Sequence, residues 1–180
     1  MTKEKFRNEI SKSCRLIKKI TGEKPIGFRA PTYSLNHGTS WALDVLKEFD
    51  FKYDSSIFPV DTGLYGVNSA SLHPYKLSNS LLEFPPAVIS FLGRRIPIAG
   101  GFFFRFLPLW FIKYGIKKMN KEGRPAILYF HPWELYSKTP RLSLKVSSKF
   151  VTYWGINSAL KRFENLLKSF QFKPIKELLF

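Results

Sequence analysis

With 180 residues, 44% of them hydrophobic and 17% aromatic, including 18 phenylalanines, the chain can bury a substantial core, which excludes a disordered segment. Its 29 basic residues against 13 acidic ones give a net charge of +16, a balance that draws proteins toward nucleic acid, anionic lipid or an acidic polymer. The basic residues are scattered as Lys18-Lys19, Arg94-Arg95, Lys117-Lys118 and Lys161-Arg162, so they read first as solvated helix faces.

A single domain is expected over residues 1–180. Cys14 stands alone, forms no intrachain disulfide and lies at a helical core spacing. The charged start Met1-Thr2-Lys3-Glu4-Lys5 runs into an amphipathic pattern, so no signal peptide is expected. The most apolar stretch, residues 99–112, is interrupted by Arg105 and Pro108, and no transmembrane segment is expected.

Phe6, Ile10, Cys14, Ile17 and Ile20 recur at three- and four-residue steps, which predicts a helix over residues 3–20 stopped by Gly22. A short strand follows in Pro25-Ile26-Gly27-Phe28-Arg29-Ala30. Arg29 at its exit is either a fork for a carboxylate or a turn arginine. Asn36-His37-Gly38-Thr39-Ser40 carries N-cap chemistry for a helix over residues 41–49, and His37 belongs to that loop chemistry. Residues 51–57 read as a strand with Asp54 near its end. That carboxylate either orients a histidine at another strand end or caps the turn before Pro59. Residues 61–74 are loop-like, and His73 has no evident role.

Residues 81–90 look like a strand broken by Pro85-Pro86. The run 96–105 leads into a helix over residues 108–120. Gly100-Gly101 permits close backbone approach there, and Phe102-Phe103-Phe104 either packs in the core or lines a sugar-stacking groove. Ala126 to Phe130 is an apolar, β-prone run that ends on His131, followed by Pro132-Trp133-Glu134. An imidazole at a strand's C-terminal end is placed to donate a proton, or simply to hydrogen-bond there. Residues 140–150 are basic and irregular, residues 151–170 form one long helix, and residues 172–179 could add a last strand. This β/α alternation predicts a parallel or mixed sheet covered by helices.

Three segments in order, Gly27-Phe28-Arg29-Ala30-Pro31, Tyr53-Asp54-Ser55-Ser56 and Leu128-Tyr129-Phe130-His131-Pro132-Trp133-Glu134, resemble the later motifs of NodB-homology polysaccharide deacetylases. Gly100-Gly101-Phe102-Phe103-Phe104-Arg105 and Ile57-Phe58-Pro59 are similar to the exosortase-associated subgroup found with bacterial exopolysaccharide systems. The likeness spans nearly the whole chain. It implies an α/β fold that is part of a distorted (β/α) barrel, and zinc-assisted hydrolysis of a sugar N-acetyl group.

By the same resemblance His131 matches the general acid, Asp54 the carboxylate that partners it, and Arg29 the arginine that orients the catalytic carboxylate. Thr32 matches the residue whose backbone N–H helps hold the oxyanion. Phe58 stands where the family has a Trp wall, Leu128 matches the floor for the acetyl methyl, and Trp133 is expected to touch the saccharide. The family's Asp-Asp strand end and His-x-x-x-His, which supply the base and the metal ligands, are not in the sequence: its histidines are His37, His73 and His131.

No cofactor is therefore expected on this chain alone, although the family uses a divalent metal. The expectation is a C-terminal deacetylase portion lacking the first strands, inactive alone, with a polysaccharide substrate and a metal-binding half supplied by a separately encoded chain. A non-catalytic saccharide-binding remnant is the alternative. A basic nucleic-acid or membrane-surface binder is a third reading, and the lack of any nucleic-acid motif counts against the former. The expected location is cytoplasmic or membrane-peripheral in a bacterium, with exposed sheet edges that favour self-association.

Overall fold

The computed structural model describes residues 1–179, and of His37 the backbone alone. The cap chemistry expected of the His37 side chain lies outside the described residues. The chain divides into two compact units, Met1–Pro86 and Ala87–Phe180.

The first unit opens on helix α1 (Lys3–Thr21), close to its expected bounds. Thr2 caps it by accepting a hydrogen bond from the Lys5 N–H, and the Gly22 N–H closes it on the Lys18 carbonyl. Its inner face is narrow. Ile10 is buried, and Phe6 meets Phe28 and Trp41 edge-on at 5.8 and 5.7 Å. Helix α2 (Trp41–Glu48) buries Ala42, Leu43, Val45 and Leu46.

The strands of this unit are two residues each: β1 (Gly27–Phe28), β2 (Tyr53–Asp54), β3 (Tyr75–Lys76) and β4 (Leu82–Glu83), in the order β1-β2-β4-β3. The first three in that order run parallel, and β3 is antiparallel at the edge. Register sets Phe28 beside Asp54, and Asp54 beside Glu83, at the C-terminal ends of the parallel strands. That is the end of an α/β sheet where functional groups collect.

The second unit begins with the hairpin β5 (Val88–Phe91) and β6 (Arg94–Pro97), whose two-residue turn Leu92-Gly93 has positive φ at both positions. The break expected at Pro85-Pro86 falls between β4 and β5. Helices α3 (Gly101–Phe106) and α4 (Leu109–Lys121) follow, separated at Pro108. The triple phenylalanine is helical, with Phe104 buried and Phe102 and Phe103 half-buried, so it packs more than it lines. Ile89, Ile98, Ile112, Ile116 and Met119 make the core between the hairpin side and α4.

Three expected elements take another form. The run 126–130 is an extended segment with an isolated parallel bridge, Gly100 to Tyr129, and its Tyr129 N–H donates to the Ala99 carbonyl at 2.9 Å. A β-carbon on Gly100 would stand 1.7 Å from the Tyr129 carbonyl oxygen, so the approach that places the His131 segment requires glycine. The single helix expected over 151–170 is two helices, α5 (Val146–Tyr153) and α6 (Ile156–Ser169), broken at Trp154-Gly155. The last strand expected at 172–179 is a 3₁₀ turn, Ile175–Leu178, entered from Pro174. Among the described residues no helix is long and apolar enough to cross a membrane.

Candidate active site

In the first unit the strand ends carry a buried polar cluster. Asp54 and Glu83 are fully inaccessible to solvent. The Asp54 carboxylate accepts from the Ser56 hydroxyl at 2.6 Å and from the Ser56 N–H at 3.2 Å. Ser56 Oγ in turn accepts from the Ala30 N–H at 2.7 Å, which ties the end of β2 to the exit of β1. Arg29 holds the next residue: its Nε donates to the Ser55 carbonyl at 3.0 Å and its Nη2 to Ser55 Oγ at 2.7 Å. Arg29 therefore fixes the residue that follows Asp54.

Glu83 is the member that sequence reasoning missed. Its Oε1 accepts from the Ile57 N–H at 3.1 Å, while no donor among the described residues serves Oε2. Two carboxyls in cross-strand register cannot both ionise away from water. Burial and then the nearby Asp54 push Glu83 up to about 10, and burial raises Asp54 too, opposed by the hydrogen bonds it receives from Glu83 and Ser56. Burial thus pushes both carboxyls of the pair upward, Glu83 with the added repulsion of Asp54. Tyr75, opposite Glu83 on β3, is pushed to about 12 by burial and by these two acids.

Thr32 follows in a tight turn with φ of 54°, and Tyr33 beside it has φ of 50°. Left-handed backbone at two consecutive non-glycine residues costs roughly 1–2 kcal/mol each, and such strain gathers where a backbone group must be aimed. Thr32 lines an apolar cleft of about 370 Å³ together with Phe6, Phe28, Pro31 and Trp41. Phe58 is fully buried, against Tyr33 at 5.0 Å and Tyr65 at 5.4 Å, so it supports that turn and presents no wall to solvent.

In the second unit His131 is held by two residues that sequence reasoning gave no role. Its Nδ1 lies 2.9 Å from Glu134 Oε2, and its N–H donates to the same oxygen at 3.1 Å. Glu134 is buried and its other oxygen takes the Arg105 guanidinium at 3.2 Å. Arg105, also buried, is fixed by the carbonyls of Val151 and Trp154. Burial pulls the Arg105 pKa down, and Glu134 opposes the change. A charged Glu134 makes Nδ1 the protonated nitrogen, so the second ring nitrogen is the one that can carry or release a proton.

The imidazole side chain is 54% exposed. It stacks on Trp133 with centroids 5.9 Å apart and planes 23° apart, while Arg105 lies over the other ring at 5.7 Å. Leu128 is half-buried in the extended segment leading to His131. The i,i+3 spacing of His131 and Glu134 is a capping-box spacing, and a lone Arg105 inside an apolar run calls for a buried acid. Both signals stand in the sequence.

Zinc needs three or four converging ligands. Among the described residues no three His, Cys, Asp or Glu side chains come together for a metal. Asp54 and Glu83 are engaged with each other and the loop, and His131 with Glu134, so these residues do not fit a zinc site by themselves.

A family model described as a domain of unknown function, DUF3473, matches residues 55–180. The peptidoglycan deacetylase-like protein FGM2 of Gibberella zeae is 37% identical over 60 residues, a stretch covering 33% of this chain and 17% of that protein. The crystal structure of a "putative polysaccharide deacetylase" from Mycobacterium smegmatis superposes with a TM-score of 0.58 at 19% identity, covering 99% of this chain and 56% of that one. The chain thus spans little more than half of that structure, and its mixed α/β fold, with a parallel-containing sheet, is part of that polysaccharide deacetylase fold.

Proposed function

The chain belongs to the DUF3473 family, and we propose that it is the acid-bearing portion of a polysaccharide deacetylase acting on N-acetyl groups of a bacterial exopolysaccharide. The exosortase-associated subgroup is the proposed affiliation. The observation that carries this reading is the His131–Glu134–Arg105 relay. It anchors one ring nitrogen on a buried carboxylate and leaves the ring half exposed. An imidazolium so held donates its other N–H to the amine nitrogen as the amide C–N bond breaks, and returns neutral with Nδ1–H still on Glu134.

Arg29 is proposed as the family's arginine that orients the catalytic carboxylate, Thr32 as the oxyanion donor through its backbone N–H, and Leu128 as the apolar contact for the acetyl methyl; the carboxylate on the Nδ1 of His131, the place expected for Asp54, is Glu134. Phe58 is proposed to serve the sugar site through the rings it supports. The divalent metal would be held by residues outside this chain, the Asp-Asp and His-x-x-x-His strand ends of a separate polypeptide. Acetate release from an N-acetylglucosamine oligomer tests this. The chain alone with Zn²⁺ should release none; with a polypeptide supplying those ligands, release should appear and His131→Gln should lower it by about 10²–10⁴-fold. Turnover by the chain alone would sink the dependence on a second polypeptide, and complemented activity indifferent to His131→Gln would sink the acid.

A non-catalytic saccharide binder is the second reading. It is favoured by the partly exposed Trp133 ring stacked on His131. It requires glycan binding, read by calorimetry, that Trp133→Ala abolishes while His131→Gln leaves no deacetylation to lose.

A further inference from the structure

The chain's positive charge is unevenly placed. Residues 1–86 hold 12 Lys and Arg against 9 acids, whereas residues 87–180 hold 17 against 4. Within the second unit, residues 135–163 contain six Lys and Arg and no Asp or Glu at all. Helix α5 lies in this stretch, and none of its residues is buried.

Val146 and Phe150 stand one turn apart on α5, and Trp154 continues the line. Val146 is 86% exposed, Phe150 43% and Trp154 49%. These side chains are not loose. Phe150 packs on Trp154 at 4.9 Å and on Phe102 and Phe106 of α3 at 5.8 and 6.4 Å, and Phe102 stacks on Phe106 at 5.1 Å. The buried Arg105 grips the carbonyls at the end of α5, and the Tyr153 hydroxyl accepts from the Leu142 N–H at 2.9 Å while Arg141 covers the Tyr153 ring. The result is a preformed apolar ridge with Leu142, 66% exposed, at its side.

Lys145 and Lys149 each stand one residue before Val146 and Phe150, so they flank the ridge. Among the described residues neither they nor Lys138 and Arg141 enter an ion pair.

We propose that this ridge docks the protein on an anionic phospholipid surface, with Val146, Phe150 and Trp154 entering the headgroup boundary and the flanking lysines on the phosphates. Cations around an apolar ridge are complementary to that boundary and to nothing drier or more polar. Valine and leucine at the outermost positions have acyl chains to meet in a bilayer but no partner on a nucleic acid, where flat rings would be wanted for stacking. Tryptophan at the edge of the ridge suits the interface. The proposal is independent of the deacetylase reading.

Flotation of the full chain with phosphatidylcholine/phosphatidylglycerol vesicles tests it, with pure phosphatidylcholine as the comparison. Binding is expected to the anionic vesicles alone, with a blue shift of tryptophan emission that Trp154→Phe removes. Lys145→Ala with Lys149→Ala should weaken binding about 30-fold. Val146→Asp should weaken it about tenfold or more, with an unchanged melting temperature because the side chain is exposed. Failure to bind anionic vesicles at low salt overturns the proposal. So does undiminished binding by Val146→Asp, a DNA oligomer bound more tightly than the vesicles, or a self-associated form of the chain that Val146→Asp converts to monomer.

Discussion

Glu134 serves two masters at the residue scale: it neutralises the buried Arg105 and it fixes His131. Removing it strands a guanidinium away from water, so Glu134→Ala should destabilise the chain by about 3–5 kcal/mol, read as a shift in the urea midpoint. Glu134→Gln keeps one acceptor and should lose less. The carboxyl pair in the first unit gives a prediction of opposite character. Glu83 moves from its ordinary 4.5 to about 10 in the folded state, so folding takes up a proton that the unfolded chain releases above 4.5. The stability from this proton is whole below pH 4.5 and is lost as pH rises toward 10. Stability should therefore fall by about 2–5 kcal/mol between pH 5 and pH 9, and Glu83→Gln, which keeps the proton-bearing side uncharged, should flatten that slope. His131, Asp54 and Arg29 stand out in the sequence because each lies at the exit of a short extended run. Glu83 does not, because its significance is a register, Asp54 beside Glu83 on parallel strands, that no local spacing reveals.

At the scale of elements, helix α1, helix α2 and the break at Pro85-Pro86 follow from periodicity, caps and proline. The split between α5 and α6 does not. The apolar spacing runs through Trp154-Gly155 without interruption, and only tertiary packing stops it: Gly155 has φ of 72°, and a β-carbon there would lie 2.9 Å from the Arg105 carbonyl. Gly155→Ala meets both the left-handed backbone and that carbonyl, so it should cost about 1–3 kcal/mol and lower the melting temperature. The same change at the exposed Gly63, where no atom lies within 4 Å and φ is 78°, meets the backbone cost alone and should lower it less. The short strands escaped for a related reason. Runs such as 25–30 and 51–57 are extended in sequence, yet only two residues of each are paired, and the loops that follow are fixed by Ser55 and Ser56 side chains. Such hydrogen bonds carry no periodic signal.

For the molecule as a whole, the fold class was readable from β/α alternation, but how the charge divides between the two units was visible only once their boundary was known. The zinc question belongs to this scale too, since a metal site is a convergence of distant segments. A ligand that binds the folded chain stabilises it by RT ln(1 + [L]/Kd), about 2.7 kcal/mol at a hundredfold excess over Kd. His131 turns its Nδ1 to Glu134, Asp54 is closed off by Ser56 and Glu83, and Cys14 lies half-buried on α1. No third ligand joins any of them among the described residues. Zinc at micromolar concentration should therefore leave the urea midpoint of the chain alone within about 0.5 kcal/mol of its metal-free value, and a chelator should do the same. A larger stabilisation would mean that ligands assemble from this chain after all.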